Sequence, residues 1–208
     1  MNNQYIKKTL YSALLFLMLG LGISLQIKAG IGQSMLNAFS LLMADLLNLE
    51  IGTFLNLLNL LFFIIYLIIR KSNLSRYDII QIIATIANGY IINLFIYFIL
   101  NNFVIESYVF RLVTFMIGLG LASISLGGIL AMEIIKFPLE SLCLVLGEKL
   151  RYSLTVIRMS FDIFFMLTTI ILTLITNHTL YIREGTIISF LLLSRLMGFA
   201  YYYHKKLI

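Results

Sequence analysis

The sequence predicts an all-α membrane protein of six transmembrane helices and two short half-helices, arranged as an inverted repeat of 3+3 spans. Three observations carry that expectation. Hydrophobic residues make up 61% of the 208-residue chain and charged residues only 12%, with a mean hydropathy of +1.02, which is not the make-up of a soluble domain. The apolar residues fall into six runs, each long enough to cross a hydrocarbon core ~30 Å thick. The cations gather at the ends of alternate runs, as a fixed membrane orientation requires.

The first run covers residues 10–27 and follows a short polar start with Lys7 and Lys8. It resembles a signal peptide, but the run is long for one, no A-x-A-like site follows and five more spans come after it, so it reads as a membrane helix. Those spans are residues 51–69, 79–100, 109–132, 153–175 and 186–203. Six spans put both termini on one side. Even-side segments carry ten cations (Lys7, Lys8, Arg70, Lys71, Arg76, Lys136, Lys149, Arg151, Lys205, Lys206) and odd-side segments three (Lys28, Arg111, Arg183). That bias makes the N- and C-termini cytoplasmic and the chain a multi-pass protein of a plasma membrane.

Two shorter apolar stretches remain, residues 33–49 and 137–147. The first follows Lys28-Ala-Gly-Ile-Gly32, whose glycines permit non-helical backbone; the second opens at Pro138, a residue suited to the first turn of a helix. Both read as half-helices, re-entrant or lying at the surface, on opposite sides of the membrane. Met18-Leu-Gly-Leu-Gly22 in the first span recurs as Met116-Ile-Gly-Leu-Gly120 in the fourth. A unit of three spans and one half-helix, repeated in tandem, must invert, which is the plan of many secondary transporters. Residues 1–208 then form a single transmembrane domain with repeats over about 1–102 and 103–208. Glycine pairs also serve plain helix packing, and that reading stands beside the repeat.

The order of elements, the Ala29-Gly-Ile-Gly32 break, the Pro138-Leu-Glu140 opening and Ser153-Leu-Thr-Val-Ile-Arg158 followed by Asp162 together resemble the YczE-like and YitT-related bacterial integral membrane proteins. The resemblance covers most of the chain and implies a bacterial inner membrane, but hands over no biochemical activity. Where that family pattern has Pro-aromatic-Asp, this chain reads Met35-Leu-Asn37.

Polar residues at membrane depth are the candidates for a site, because burying them is costly unless they are used or paired. The candidate substrate-binding residues are Asn56, Asn59, Asn88, Arg158, Asp162, Arg195 and Glu140. Asn56 and Asn59 share a helix face; Arg158 and Asp162 are spaced to pair along one helix. With a rise of ~1.5 Å per residue, Asp162 and Arg195 lie at similar depth. Two arginines and one carboxylate leave a positive charge to be met by Glu140, by Glu133 or by a bound anion. Against this, Asp162 neutralising Arg158 or Arg195, with the asparagines bonding across helices, would be structure alone.

Other chemistry recedes. The net charge of +6 is spread over span ends and makes no nucleic-acid patch. The one cysteine, Cys143, forms no intrachain disulfide and reads as packing. His178 and His204 lie at opposite ends of the last span and read as solvated residues; Tyr201, Tyr202 and Tyr203 form an interfacial belt. There is no phosphate loop, His-Glu-x-x-His or Cys-x-x-Cys motif, and Ser160 and Asp162 point to different faces. Neither an enzyme, a metal nor a cofactor is expected. The function indicated is a transporter or binding protein for a small anionic or zwitterionic solute, with Asp162 as a proton-coupling group in one variant. The alternative is a non-transporting accessory protein that supports assembly or export of another product and meets a membrane protein partner along a lateral face.

Overall fold

The computed structural model describes residues 3–71, 76–132 and 137–207. Among them are six helices long and apolar enough to cross a membrane: α1 (Asn3–Ala29), α3 (Ile51–Arg70), α4 (Arg76–Asn93, continuing as a π-helical turn Leu94–Ile99), α5 (Tyr108–Ala131), α7 (Leu154–Thr176) and α8 (Glu184–Leu207). Two shorter helices, α2 (Met35–Leu47) and α6 (Pro138–Leu150), precede α3 and α7. The chain is an all-α membrane protein, and the spans and half-helices fall where the apolar runs place them.

The first break is built as its glycines allow. Gly30 and Gly32 adopt φ of 66° and 117°, a region open to glycine at no steric cost, and the chain there leaves the helical path. The start of α8 pins the break: Gly185 N donates to Ile31 O at 2.7 Å and Gln33 N donates to Thr186 Oγ1 at 3.1 Å. At the second break Pro138 opens α6 with no backbone donor to satisfy.

Packing starts from α1 and α5, which cross antiparallel. A Cβ on Gly22 would lie 2.7 Å from Ala122 N and 2.8 Å from Gly118 O, and one on Gly118 would lie 2.7 Å from Gly22 O, so the two backbones touch because both residues lack side chains. One glycine from each repeated motif makes this contact. Gly20 faces Ile91 of α4 instead, and Gly120 faces open space. The repeated motif is therefore a packing device in which only Gly22 and Gly118 meet.

Two layers follow. In one, α4 lies against α1 and α8 against α5; in the other, α3 and α7 flank the half-helices, each packing on both α2 and α6. Exchanging α1, α2, α3 and α4 for α5, α6, α7 and α8 preserves every packed pair but one. The exception is that α3 packs on α4, while α7 does not pack on α8. Polar staples explain the closed pair: Arg70 contacts Asp78 at 3.0 Å near one end, and Asn93 donates to Glu50 Oε2 at 2.6 Å while accepting from Gly52 N at the other. The open pair leaves α7 with 17% of its span buried, against 44% for α3.

The largest apolar cluster joins α3, α6 and α7 through Phe62, Leu139, Leu142 and Phe165, and encloses Cys143 completely. His204 differs from the solvated residue expected at the end of the last span. It is buried, with Nδ1 2.7 Å from Ala200 O and its ring 6.0 Å from Tyr11. The i−4 carbonyl supplies a partner that lets the ring leave water, and the Tyr11 contact shows both ends of the chain at one face.

Replacing Gly22 by Ala forces a Cβ into backbone and should destabilise the purified protein by about 1–3 kcal/mol, whereas Gly120→Ala should leave its thermal unfolding unchanged or slightly raised. Equal behaviour of the two variants would remove the close crossing.

Candidate functional site

A cavity of about 110 Å³ lies between the two layers, large enough for several waters or one small solute on the scale that ~10–15 Å³ admits a single water. Every helix reaches it. Both half-helices begin at its wall, α2 with Ser34 and Asn37, α6 with Phe137 and Glu140, and both end exposed, at Leu47 and Leu150. They are re-entrant in that sense: each starts inside the bundle and runs outward.

Five of the seven expected site residues line this cavity, Asn56, Asn59, Asn88, Glu140 and Arg158. Arg158 donates from Nη1 to Glu140 Oε1 at 2.7 Å, and its Nε lies 3.6 Å from Asp162 Oδ2 on its own helix. Asp162 thus joins the site through Arg158. The side chains of Arg158, Glu140 and Asp162 keep 31%, 34% and 20% exposure, so the group is sheltered yet reachable.

Arg195 does not belong here. It is exposed, does not line the cavity and makes no ion pair among the described residues. Leu193 lines the cavity, and two residues further is about 200° around a helix, which turns Arg195 away. Equal depth did not imply proximity, because α7 and α8 are apart. The charge count therefore reverses: instead of two arginines sharing one carboxylate, one arginine is shared by two carboxylates. Glu140, one of the partners expected for the surplus cation, is the residue that meets Arg158, and with Arg195 away the group holds one more carboxylate than guanidinium. Glu133 lies outside the described residues.

The two halves supply the site unequally. The shift that carries the helix caps at residues 34, 48 and 50 onto 137, 151 and 153 also carries Asn37 onto Glu140, Leu55 onto Arg158 and Asn59 onto Asp162. All three first-half residues line the cavity. Charge sits in the second half, and neutral amides or an apolar side chain stand at the matching places of the first.

Hydrogen bonding at the wall is incomplete. Asn56 Nδ2 donates to Ile86 O at 3.1 Å, which fixes the amide and leaves its Oδ1 buried without a partner; Asn88 Oδ1 is likewise buried and unpartnered. At α2, Ser34 makes no side-chain capping bond and the first turn holds no acidic residue, whereas α6 has Glu140 there. The first N–H groups of α2 thus present the positive end of a helix dipole without a capping side chain or acid of their own.

Gln26, Ser34, Asn37 and Thr85 also line the cavity and were not singled out from sequence. Asn37 had a signal, since it opens the first half-helix as Glu140 opens the second. Gln26 had none, being a single amide near a helix end. Asn93 serves structure, stapling α4 to the start of α3. Away from the membrane segments, Tyr181 donates to Asp45; burial and the neighbouring carboxylate push its phenol pKa up. Among the described residues no group of three His, Cys, Asp or Glu side chains is placed to hold a metal.

Membrane-crossing helices around a polar cavity at which two half-helices begin define a polytopic membrane protein with an internal polar site. The chain belongs to DUF6198, a family of unknown function, whose model matches residues 6–202. No curated protein and no solved structure matches it.

The charge arrangement orders a set of variants. Arg158→Gln leaves two carboxylates facing each other and should cost about 2–4 kcal/mol, below the loss for a fully buried pair because the group is part exposed. Asp162→Asn keeps the Arg158–Glu140 pair and should stay within about 1 kcal/mol of the parent. Adding Arg195→Gln to Asp162→Asn should be additive in unfolding measurements; rescue by it would restore the pairing that the geometry removes.

Proposed function

We propose that this protein binds a small zwitterionic solute in the central cavity and moves it across a bacterial plasma membrane, with both termini in the cytoplasm. One observation carries the reading: polar side chains scattered over six helices converge on one cavity at which two half-helices begin. Half-helix starts near the middle of the membrane are where secondary transporters place their substrates. The preserved packing under exchange of the two halves supports an inverted repeat over about 1–102 and 103–208, and the element order accords with the resemblance to YczE-like and YitT-related proteins. Of the two solute classes the sequence indicated, the anion loses its basis with Arg195. A zwitterion has a pole for the carboxylates and a pole for the open start of α2.

Transport also needs a movable wall. The α3–α4 side is stapled at both ends, while α7 packs on the half-helices, meets α3 through the rings of Phe62, Phe161 and Phe165, and stands away from α8. We assign the motion to α7, closing the gap toward α8. The accessory-protein reading places function on an outer surface instead and requires nothing of the cavity.

A thermal-shift screen of the purified protein against small metabolites separates the two. The transporter reading expects at least one small polar compound to raise the melting temperature, and Asn59→Leu to abolish that rise. No stabilising compound, together with a crosslinked membrane partner along one lateral face, would favour the accessory role.

A further inference from the structure

Resting on the solute-binding reading of this cavity, we infer that the solute's cationic group is an ammonium that bears N–H hydrogens, as in an amino acid, and not a quaternary ammonium. The ionic group fixes the sign first. Glu140 lines the cavity and shares Arg158 with Asp162, so Glu140 has capacity for a second cation. Hydrogen bonding then selects its kind. Asn56 Oδ1 and Asn88 Oδ1 are acceptors without donors, and a buried acceptor left unpaired is costly, while a charged donor makes a strong bond to it. An N–H-bearing ammonium entering the cavity supplies what Asn88 Oδ1 lacks once that amide turns toward it, while the Asn56 amide stays fixed on Ile86 O. A trimethylated nitrogen has no hydrogen to give.

The wall also lacks what a quaternary ammonium requires. Such groups are held by the faces of several aromatic rings, and Phe137 is the one aromatic residue among those lining the cavity. At the other pole, the solute's acidic group faces the first N–H groups of α2, where Ser34 provides no capping bond and where an anion is favoured by the helix dipole. The cavity volume of about 110 Å³ suits a short chain between the poles.

Titration calorimetry on the full-length protein tests this with matched pairs: glycine, β-alanine and 4-aminobutyrate, each against its N-trimethyl counterpart. At least one amino form should bind, with its trimethyl partner weaker by about tenfold or more, the loss of one or two charge-assisted hydrogen bonds. Asn88→Leu should weaken the amino form by about tenfold while barely altering the trimethyl form. A trimethyl form that binds as tightly as its amino partner overturns the inference in the wild-type protein, whatever the variants do, and leaves the cavity as a solute site. If neither form of any pair binds while the metabolite screen yields a different solute, the ammonium assignment falls alone. If that screen is also empty, the solute-binding reading falls with it.

Discussion

A guanidinium inside a membrane protein has to be balanced, and Arg158 is balanced twice. Its pairing with Glu140 ties the start of α6 to the side of α7, and its approach to Asp162 keeps the guanidinium against its own helix. Because Glu140 sits in the first turn of α6, the bond holds the half-helix start at the cavity wall. That position is what makes α6 a half-helix that begins inside the bundle. The arrangement leaves one more carboxylate than cation, at a place where charge is expensive without compensation. A cavity reachable by a polar solute is consistent with that balance, as is the residual exposure of all three side chains.

The neutral half makes the same geometry with other chemistry. Asn37 and Asn59 occupy the places of Glu140 and Asp162, and Leu55 that of Arg158, so removing the cation removes the need for acids. The two half-helices share a length of 13 residues and the same spacing of caps into α3 and α7, and the halves differ in what they offer a ligand. The asymmetry extends to packing. Arg70, Asp78, Glu50 and Asn93 staple α3 to α4, and no such set joins α7 to α8 among the described residues. A site with one fixed wall and one loose wall is suited to capture and release.

Much of this was legible in the residues. Apolar runs located all eight helices, the six spans because hydrocarbon thickness leaves little choice, though α1 starts seven residues before its run at residue 10; Gly30, Gly32 and Pro138 marked the breaks by their backbone requirements. Asn56, Asn59, Asn88, Glu140 and Arg158 were found because a polar group in an apolar run stands out. Arg195 stood out equally and was misplaced, because depth along a helix is readable from sequence while the direction a face points depends on neighbours. His204 was hidden for the same reason: its burial comes from Tyr11, Gly128 and its own helix carbonyl. The glycine motif signalled a repeat or close helix contact, but neither that α1 meets α5 nor that Gly22 and Gly118 are the glycines that touch.

We propose that the cavity works by movement of α7 against a fixed α3–α4 wall. Pulsed electron-paramagnetic resonance measures it directly, in a Cys143→Ser background, with spin labels on the lipid-exposed residues Leu167 and Leu191 for α7–α8 and Ile64 and Ile83 for α3–α4. On addition of the compound that stabilises the protein, the account predicts a shorter α7–α8 distance and an unchanged α3–α4 distance. Two distances that both stay fixed, with and without the compound, would contradict it.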